Sequence, residues 1–218
     1  MTEHFLHVGK TGGTAVKHAL QPFADRFGIA LHEHGTTLLE VPGGEHFFFF
    51  LRDPVTRFVS SFNSRKRCGR PRFEQPWTAD EHWAFGKFAT PDELAKNLSS
   101  ADPAVAEAAA LAMRRIGWVR AGYDRWFIGR DWLLSRLRDL RFIGMQESLA
   151  ADFETLKRLL RLPAECRLPD DPVAAHRTPA GLERDLSEAA VANLRRWYAA
   201  DIAFYEFCRE LRAAMRWD

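Results

Sequence analysis

The chain has 218 residues, of which 46% are hydrophobic, which is enough apolar material for the core of one α/β domain. Its formal net charge of +2 does not indicate nucleic-acid binding, and its three widely spaced cysteines match neither a disulfide framework nor a zinc site. No apolar stretch is long enough to cross a membrane and no signal peptide is recognisable, so we expect a soluble cytoplasmic protein with free thiols.

The first segment predicts a strand over residues 4–8, a loop, and a helix over residues 14–20. The loop reads HVGKTGGTA, from His7 to Ala15. Its paired glycines let the backbone approach a ligand closely, and the following helix directs its positive end at an anion. Lys10 adds a mobile positive charge and the threonines add hydroxyls. The loop therefore predicts a phosphate site, with a plain glycine-rich turn as the alternative.

This loop differs from the phosphate loop of nucleoside triphosphatases. In that motif the lysine directly follows the last glycine and precedes Ser or Thr. Here Lys10 comes before the glycine pair. The order weakens a triphosphate interpretation and leaves the phosphate interpretation in place.

A second strand is predicted at residues 29–32 and a third at residues 46–51, where four consecutive Phe indicate burial on both faces of a parallel sheet. Pro54 opens a helix that extends to about Ser64, with Asp53 as its N-cap. Further elements are predicted as helices at 91–98, 103–119 and 150–162, a strand at 141–145, and a long final helix after Ser187.

Strands that alternate with helices indicate a three-layer α/β fold with a central, mostly parallel sheet flanked by helices. We expect a single domain over residues 1–218 with a mostly helical insertion at about 64–140. Ligands of such sheets bind at the carboxyl ends of the strands. Both the first loop and the segment after the Phe-rich strand lie at such ends.

The second informative segment reads LRDPVTRFVSSF, from Leu51 to Phe62. Arg52 follows the end of a buried strand, and Ser60 lies about two turns into the next helix. A guanidinium fork and a hydroxyl suit a dianionic phosphate. An ion pair of Arg52 with Asp53 or with another acid is the alternative.

Together the two segments resemble the sulfotransferase superfamily, and most closely its family 2 branch, with the carbohydrate O-sulfotransferases and their bacterial relatives. In that branch the first loop reads His-x-Pro-Lys-Thr-Gly-Gly-Thr, and here Gly9 stands in place of the proline. The second motif reads Leu-Arg-Asp-Pro-x-x-Arg-x-x-Ser, and the chain matches it at Leu51, Arg52, Asp53, Pro54, Arg57 and Ser60. Weaker matches are Gly144, Glu147 and Leu149, and then Tyr198, Asp201 and Tyr205.

The resemblance implies a P-loop-like fold and 3′-phosphoadenosine 5′-phosphosulfate as the sulfuryl donor, without a metal. Lys10 would stabilise the leaving oxygen, and Arg52 with Ser60 would bind the 3′-phosphate. Arg177, in a late basic loop, would cover the nucleotide. The 5′-phosphosulfate would be held by the loop residues Lys10, Thr11, Gly12, Gly13, Thr14 and Ala15.

The general base is predicted in the sequence His32-Glu33-His34, where relatives often carry a histidine. The ordinary pKa of a histidine side chain suits proton removal near neutrality. His34 is favoured because the sequence His-Gly-Thr-Thr that begins with it is similar to the corresponding segment of these relatives. His32 is the second candidate, since both rings would point the same way in a strand and either could reach the site. Glu33 is a third candidate, and two ordinary surface histidines are the alternative.

Residues 55–73 carry six basic side chains and no acid. We expect Arg65, Lys66 and Arg70 to bind an anionic acceptor that offers a hydroxyl group, such as a glycan or a glycolipid. A solvated basic face is the alternative.

Two other functions remain open from the sequence. A P-loop nucleotide kinase or nucleoside triphosphatase would share the strand, loop and helix but lacks its Gly-Lys-Ser/Thr signature here. A non-catalytic nucleotide-binding relative would keep the fold without turnover. Preferential binding of adenosine 3′,5′-bisphosphate over ADP separates the sulfotransferase from its kinase rival.

Overall fold

The computed structural model of the protein describes residues 1–179 and 181–215. Two groups of segments pack within themselves. The first, which we call the sheet unit, comprises Met1–Asp53, Tyr123–Arg177 and residues 203–215. The second, the helical unit, comprises Pro54–Gly122 and the described part of Thr178–Ile202.

The sheet unit contains a four-stranded parallel sheet in the order β2-β1-β3-β4. The strands are β1 (Glu3–Leu6), β2 (Ile29–Leu31), β3 (His46–Leu51) and β4 (Leu140–Met145). The sequence-based prediction of a parallel α/β sheet is therefore confirmed. β1 ends earlier than predicted because the chain turns after Leu6, whose carbonyl accepts the N–H of Val8 at 3.0 Å.

The helices account for most of the remaining described residues. In chain order they are α1 (Gly13–Leu20), α2 (Ala24–Phe27), α3 (Pro54–Lys66), α4 (Ala79–Lys87), α5 (Pro91–Lys96), α6 (Pro103–Arg115), α7 (Asp124–Phe127), α8 (Arg130–Ser135), α9 (Leu149–Leu159), α10 (Glu188–Trp197) and α11 (Ala199–Ala214).

The predicted final helix is two helices, α10 and α11, which are separated at Tyr198. Tyr198 leaves helical geometry, with φ −99° and ψ 27°. Its buried hydroxyl donates a hydrogen bond to the carbonyl of Val119 at 2.7 Å. The helical periodicity of the apolar residues after Ser187 gives no sign of this break, because Tyr198 itself fits that periodicity.

The four phenylalanines of β3 are fully buried, and they alternate between the two faces of the sheet. On one face Phe48 and Phe50 pack in a cluster with side chains of β1, β4, α1 and α9. On the other face Phe49 contacts Phe127 of α7, with ring centroids 4.5 Å apart. Burial on both faces explains why this strand is continuously apolar rather than alternating.

The helical unit has its own core, formed by α3, α4, α5, α6 and α10. Its helices begin at the residue types that favour N-caps. The hydroxyl of Thr90 accepts the N–H of Glu93 at 3.0 Å, which is one half of the predicted capping box, whereas the Glu93 carboxylate accepts the N–H of Ala89 at 2.6 Å. Ser187 similarly accepts the N–H of Ala190 at the start of α10.

We expect the replacement Gly144→Ala to destabilise the protein by about 1–3 kcal/mol, because its added methyl group overpacks the sheet face. Gly144 pairs with Phe50 across β4 and β3, and a Cβ at this position would lie 2.2 Å from the Phe50 ring. Urea unfolding followed by circular dichroism measures the change. Gly86→Ala is the control, because a Cβ there meets nothing within 4 Å and helical alanine is favoured over glycine by up to about 1 kcal/mol. Equal stability of the two variants would contradict the packing argument.

Candidate functional site

The carboxyl ends of all four strands lie at one edge of the sheet, because every pair is parallel. The first loop follows β1, and the histidine segment 32–34 follows β2. Arg52 follows β3, and the segment Gln146–Ser148 follows β4. β1 is flanked by β2 on one side and by β3 on the other, so the direction of chain winding reverses between β1 and β3. Open α/β sheets bind ligands at this switch point.

The first loop turns sharply to reach α1. Lys10 and Gly12 both have left-handed backbone conformations, with φ of 68° and 85°. Thr11 is buried, and its hydroxyl donates to the carbonyl of Val8 at 3.0 Å. The Thr11 hydroxyl therefore stabilises the loop from within, and what this residue offers a ligand is its backbone N–H.

The glycine pair is explained by close packing on both sides. A Cβ on Gly13 would lie 2.3 Å from Cδ2 of the His7 ring, and one on Gly12 would lie 3.0 Å from a methyl group of Leu149. α1 begins directly at this point, with no side-chain cap and no acidic residue in its first turn. A helix N-terminus without a side-chain cap offers backbone N–H groups that can bind an anion.

His34 is held against this loop by defined contacts. Its Nδ1 lies 3.0 Å from the carbonyl oxygen of His7, and its own carbonyl accepts the indole N–H of Trp126 at 2.9 Å. Because a carbonyl only accepts, Nδ1 must carry the proton, which leaves the lone pair on Nε2. Burial, together with the charges of Lys10 and Lys17, lowers the pKa of His34, although its bond to His7 acts in the opposite direction.

The ring of His7 packs against the ring of His34, with centroids 3.7 Å apart. His7 is 4% exposed, and burial, the neighbouring His34 and the charges of Lys17 and Lys10 lower its pKa to about 2. His7 is therefore neutral at any physiological pH. The sequence-based interpretation gave this residue no role, although its place at the start of the loop motif was the available signal.

His32 has different surroundings from His34. Its Nε2 lies 2.8 Å from Nδ1 of His4, and the other ring nitrogen of His4 is hydrogen-bonded to Glu45. The expectation that the rings of His32 and His34 point the same way is not met, since β2 ends at Leu31 and strand alternation does not continue. Burial, followed by the proximity of His4, lowers the pKa of His32.

Glu33, the third candidate base, is paired with Lys17 of α1 and its side chain is 80% exposed. The same ammonium lies 3.5 Å from the carbonyl of His32. Lys17 thus ties the segment after β2 to α1, and its charge contributes to lowering the pKa of both His32 and His34.

Arg52 is fixed through its backbone. Its N–H donates to the hydroxyl of Tyr123 at 3.1 Å, and that hydroxyl in turn donates to the carbonyl of Arg52. The next N–H, of Asp53, donates to a carboxylate oxygen of Glu147 at 2.8 Å. The hydroxyl of Tyr205 donates to the second oxygen of that carboxylate at 3.2 Å.

Glu147 therefore connects the second motif with the two weaker motifs, which the sequence could only suggest were related. Burial, followed by the charge of Glu147, raises the pKa of Tyr205, so its hydroxyl stays a donor. These motif residues therefore share a structural role, because their hydrogen bonds fix the backbone at the end of β3.

The predicted acceptor residues lie in the helical unit, and each of them has a different partner in the chain. Arg65 is buried and forms a two-pronged ion pair with Glu81, with both N···O distances at 2.6 Å. This placement argues against the sequence-based assignment of Arg65 to an acceptor site, because its guanidinium is committed to the core. Lys66 donates to the carbonyl of Ala89, and the exposed Arg70 pairs with Glu74.

Two residues assigned to the nucleotide lie away from the strand ends along the chain. Ser60 is half-buried on α3 of the helical unit, about two turns after Pro54. Arg177 is exposed in the loop that closes the second segment of the sheet unit. In residues 1–179 and 181–215 no helix is long and apolar enough to cross a membrane.

Comparison with protein-family models gives a match to the model described as "Sulfotransferase family" over residues 45–208. The matched range covers most of the chain, from the residue before β3 into α11, and includes Arg52, Ser60, Glu147 and Tyr205. It begins after the first loop and after His34. Comparisons with curated proteins and with solved structures gave no match.

Proposed function

Because the chain belongs to the sulfotransferase family, we propose that it transfers a sulfuryl group from 3′-phosphoadenosine 5′-phosphosulfate to an acceptor hydroxyl. Family membership makes the protein a transferase, and sulfotransferases generally use this donor. The observation that carries the proposal is the position of the first loop and Arg52. They follow the adjacent parallel strands β1 and β3, at the switch point of the sheet.

The first loop suits the 5′-phosphosulfate group. The start of α1 has no side-chain cap, so its first backbone N–H groups are the donors that a helix N-terminus offers an anion. The proposed donors are the N–H groups of residues 11–14, together with the ammonium of Lys10, since the N–H of Ala15 already donates to the carbonyl of Gly12 at 3.0 Å. Lys10 turns the chain through a left-handed backbone conformation. This conformation is unfavourable in free energy for a non-glycine residue, and such backbone strain is often retained at functional sites.

Arg52 is the proposed ligand of the 3′-phosphate, which ADP and ATP lack. Its backbone is fixed at both the N–H and the carbonyl by Tyr123, so the root of its side chain is held at the end of β3. A positioned guanidinium fork binds a phosphate dianion in two-pronged geometry. Ser60 and Arg177 join the proposal on the family motif alone.

In the proposed reaction the acceptor oxygen attacks the sulfur atom, and the bond from sulfur to the bridging phosphate oxygen breaks. The products are the sulfate ester and adenosine 3′,5′-bisphosphate. Lys10 stabilises the negative charge that develops on the bridging oxygen, and Nε2 of His34 accepts the proton of the acceptor hydroxyl. Positioning and electrostatics supply most of the rate enhancement in such group transfers.

His34 is preferred over His32 as the base for two reasons. Its Nδ1 bond to the carbonyl of His7 leaves Nε2 unprotonated, and His7 belongs to the first loop itself. His32 has its Nε2 engaged by His4 instead. Glu33 is weaker than either, because its carboxylate is exposed and paired with Lys17.

For the acceptor we propose a carbohydrate or glycoconjugate hydroxyl, as in the branch that the two motifs resemble. The thiols of Cys68, Cys166 and Cys208 are unpaired with one another, as is usual in a reducing compartment. We therefore propose the cytoplasm as the place of reaction.

The nucleotide preference tests the proposal directly. We expect adenosine 3′,5′-bisphosphate to raise the Tm by more than ADP does at equal concentration, since only the first has a 3′-phosphate for Arg52. Arg52→Gln is expected to reduce that difference. A thermal-shift titration measures both effects. Equal or stronger stabilisation by ADP would reject the sulfotransferase and favour the kinase interpretation.

Lys10→Ala is expected to abolish sulfuryl transfer while the fold persists, because Lys10 lies in a loop and its side chain is only partly buried. Removing one preorganised charge from a developing oxyanion reduces kcat by about 10²–10³. Transfer of labelled sulfate to a panel of acceptors measures activity, and circular dichroism checks the fold. Full activity in this variant would remove Lys10 from the mechanism.

His34→Gln and His32→Gln form a matched pair that identifies the base. Loss of a general base lowers kcat by about 10²–10⁴, and we expect this loss for His34→Gln only. In the wild type, kcat/KM should fall on the acid side as His34 becomes protonated. The midpoint should lie below the ordinary histidine pKa, because burial lowers the pKa of His34. A larger loss in His32→Gln would transfer the role to that residue.

A further inference from the structure

The proposed base lies in a segment without regular secondary structure. β2 ends at Leu31, and His34 lies in the turn that follows. A residue outside a strand or helix lacks the backbone ladder that would fix it, so its position depends on groups that reach it from other segments. The next residue is Gly35, where a Cβ would meet no described atom within 4 Å. Packing at residue 35 therefore does not fix the backbone of His34.

Trp126 of α7 supplies one of the contacts that His34 needs. Its indole is fully buried, and the indole N–H donates to the carbonyl of His34 at 2.9 Å. The carbonyl of His7 holds Nδ1 of the same histidine at 3.0 Å. His34 is thus held at its ring by the first loop and at its backbone by Trp126, which belongs to neither of the two sequence motifs.

The segment that carries Trp126 also holds Arg52. Tyr123 lies one turn before Trp126, and its hydroxyl accepts the N–H of Arg52 and donates to the carbonyl of that residue. The backbone N–H groups of Trp126 and Phe127 donate to the carbonyl of Tyr123, at 3.0 and 3.1 Å. Residues 123–127, which we call the α7 turn, therefore contact the end of β3 and the turn after β2 at the same time.

The α7 turn is anchored in the core of the sheet unit. Phe127 is fully buried, and its ring packs against Phe49 of β3 and Phe204 of α11, with centroids 4.5 and 5.0 Å apart. The next residue, Ile128, has a left-handed backbone with φ 63°, and its side chain is 52% exposed. Burial does not offset this strain. A β-branched residue keeps such a conformation where the surrounding structure fixes the backbone, which is common near functional sites.

We propose that Trp126 is a positioning residue for His34, and that the α7 turn holds His34 and Arg52 in a fixed spatial relation. The inference rests on the proposed function, in which Arg52 binds the 3′-phosphate and His34 accepts the proton of the acceptor. Tyr123 and Trp126 act through the residues that they hold. Fixing both from one buried turn keeps the base aligned with the bound donor, and such alignment is a large part of catalysis in group transfer.

Trp126→Phe tests the contact to the base. It keeps a large aromatic ring and removes the N–H that the carbonyl of His34 accepts. Misplacing a reacting group by about 1 Å costs about 10²-fold in rate, so we expect kcat to fall by about 10–10²-fold with little change in KM. Trp132→Phe is the matched control, because Trp132 of α8 is 39% exposed and should leave kcat unchanged. Wild-type kcat in Trp126→Phe would overturn the proposal.

The protonation of His34 gives a readout that does not depend on turnover. NMR of the histidine side-chain nitrogens, assigned with His34→Gln, should show the Nδ1–H tautomer in the wild type, since Nδ1 donates to the carbonyl of His7. Burial lowers the pKa of His34, so its titration midpoint should lie below the ordinary value. In Trp126→Phe we expect mixed tautomers and a midpoint nearer that value. An Nε2–H tautomer in the wild type would overturn the proposal without any variant.

Tyr123→Phe tests the other contact of the α7 turn. It removes the hydroxyl that bridges the N–H and the carbonyl of Arg52, so the Tm rise with adenosine 3′,5′-bisphosphate should approach that with ADP. The titration of His34 should stay as in the wild type. Trp126→Phe should show the reverse pattern, with a changed titration and an unchanged nucleotide preference. Each variant is therefore the control of the other, since both remove one polar hydrogen from the same buried turn.

Two outcomes separate this inference from the proposed function. If both variants lower the Tm and neither the titration of His34 nor the nucleotide preference changes, the α7 turn is purely structural and the proposal is overturned. If His34→Gln keeps full activity while Trp126→Phe still changes the titration of His34, the assignment of the base fails and the positioning of His34 by Trp126 is confirmed.

Discussion

The close approach of the His7 ring to Gly13 is the contact on which the candidate site depends. Any side chain at residue 13 would collide with that ring, so the first turn of α1 can pass over His7 only because residue 13 is glycine. His7 in turn supplies the carbonyl that holds Nδ1 of His34 and the ring surface on which His34 packs. The absence of a side chain at residue 13 thus determines both the backbone path of the first loop and the orientation of the proposed base.

The electrostatics of this cluster are consistent with a base rather than with an acid. Burial and two ammonium groups, Lys10 and Lys17, all favour neutral His34. A base in this state is ready to accept a proton, but the imidazolium that results has to be stabilised. The His7 carbonyl and the charge of Glu33 both raise the pKa of His34, so the cluster also contains the groups that stabilise the protonated form. The negative phosphosulfate near Lys10 would act in the same direction when bound.

Much of the fold was predictable because its signals are local. The Phe-rich strand, Pro54 at the start of α3 and the N-cap at Thr90 each depend on residues a few positions apart. The candidate site was predictable as far as its motifs extend, and the parallel sheet then brings the segments after each strand to one edge. Side-chain partners were not predictable, because they depend on contacts between distant segments. The pairing of His32 with His4, the role of Glu147 between Asp53 and Tyr205, and the break at Tyr198 all arise from residues that are far apart in sequence.

Arg65 and Arg67 lie only two positions apart, and the sequence does not predict their side-chain partners either. In the sequence they are two members of one basic run, and composition treats them as equivalent. In the structure Arg65 meets Glu81, which comes from α4, and its charge is neutralised in the core. Arg67 is only partly buried, and burial, followed by the charge of Arg184 from a segment more than a hundred residues away, lowers its pKa. A basic run therefore does not specify a binding surface by its charge. The fold gives neighbouring cations of one run different surroundings, and these can be identified only from contacts between segments that are distant in sequence.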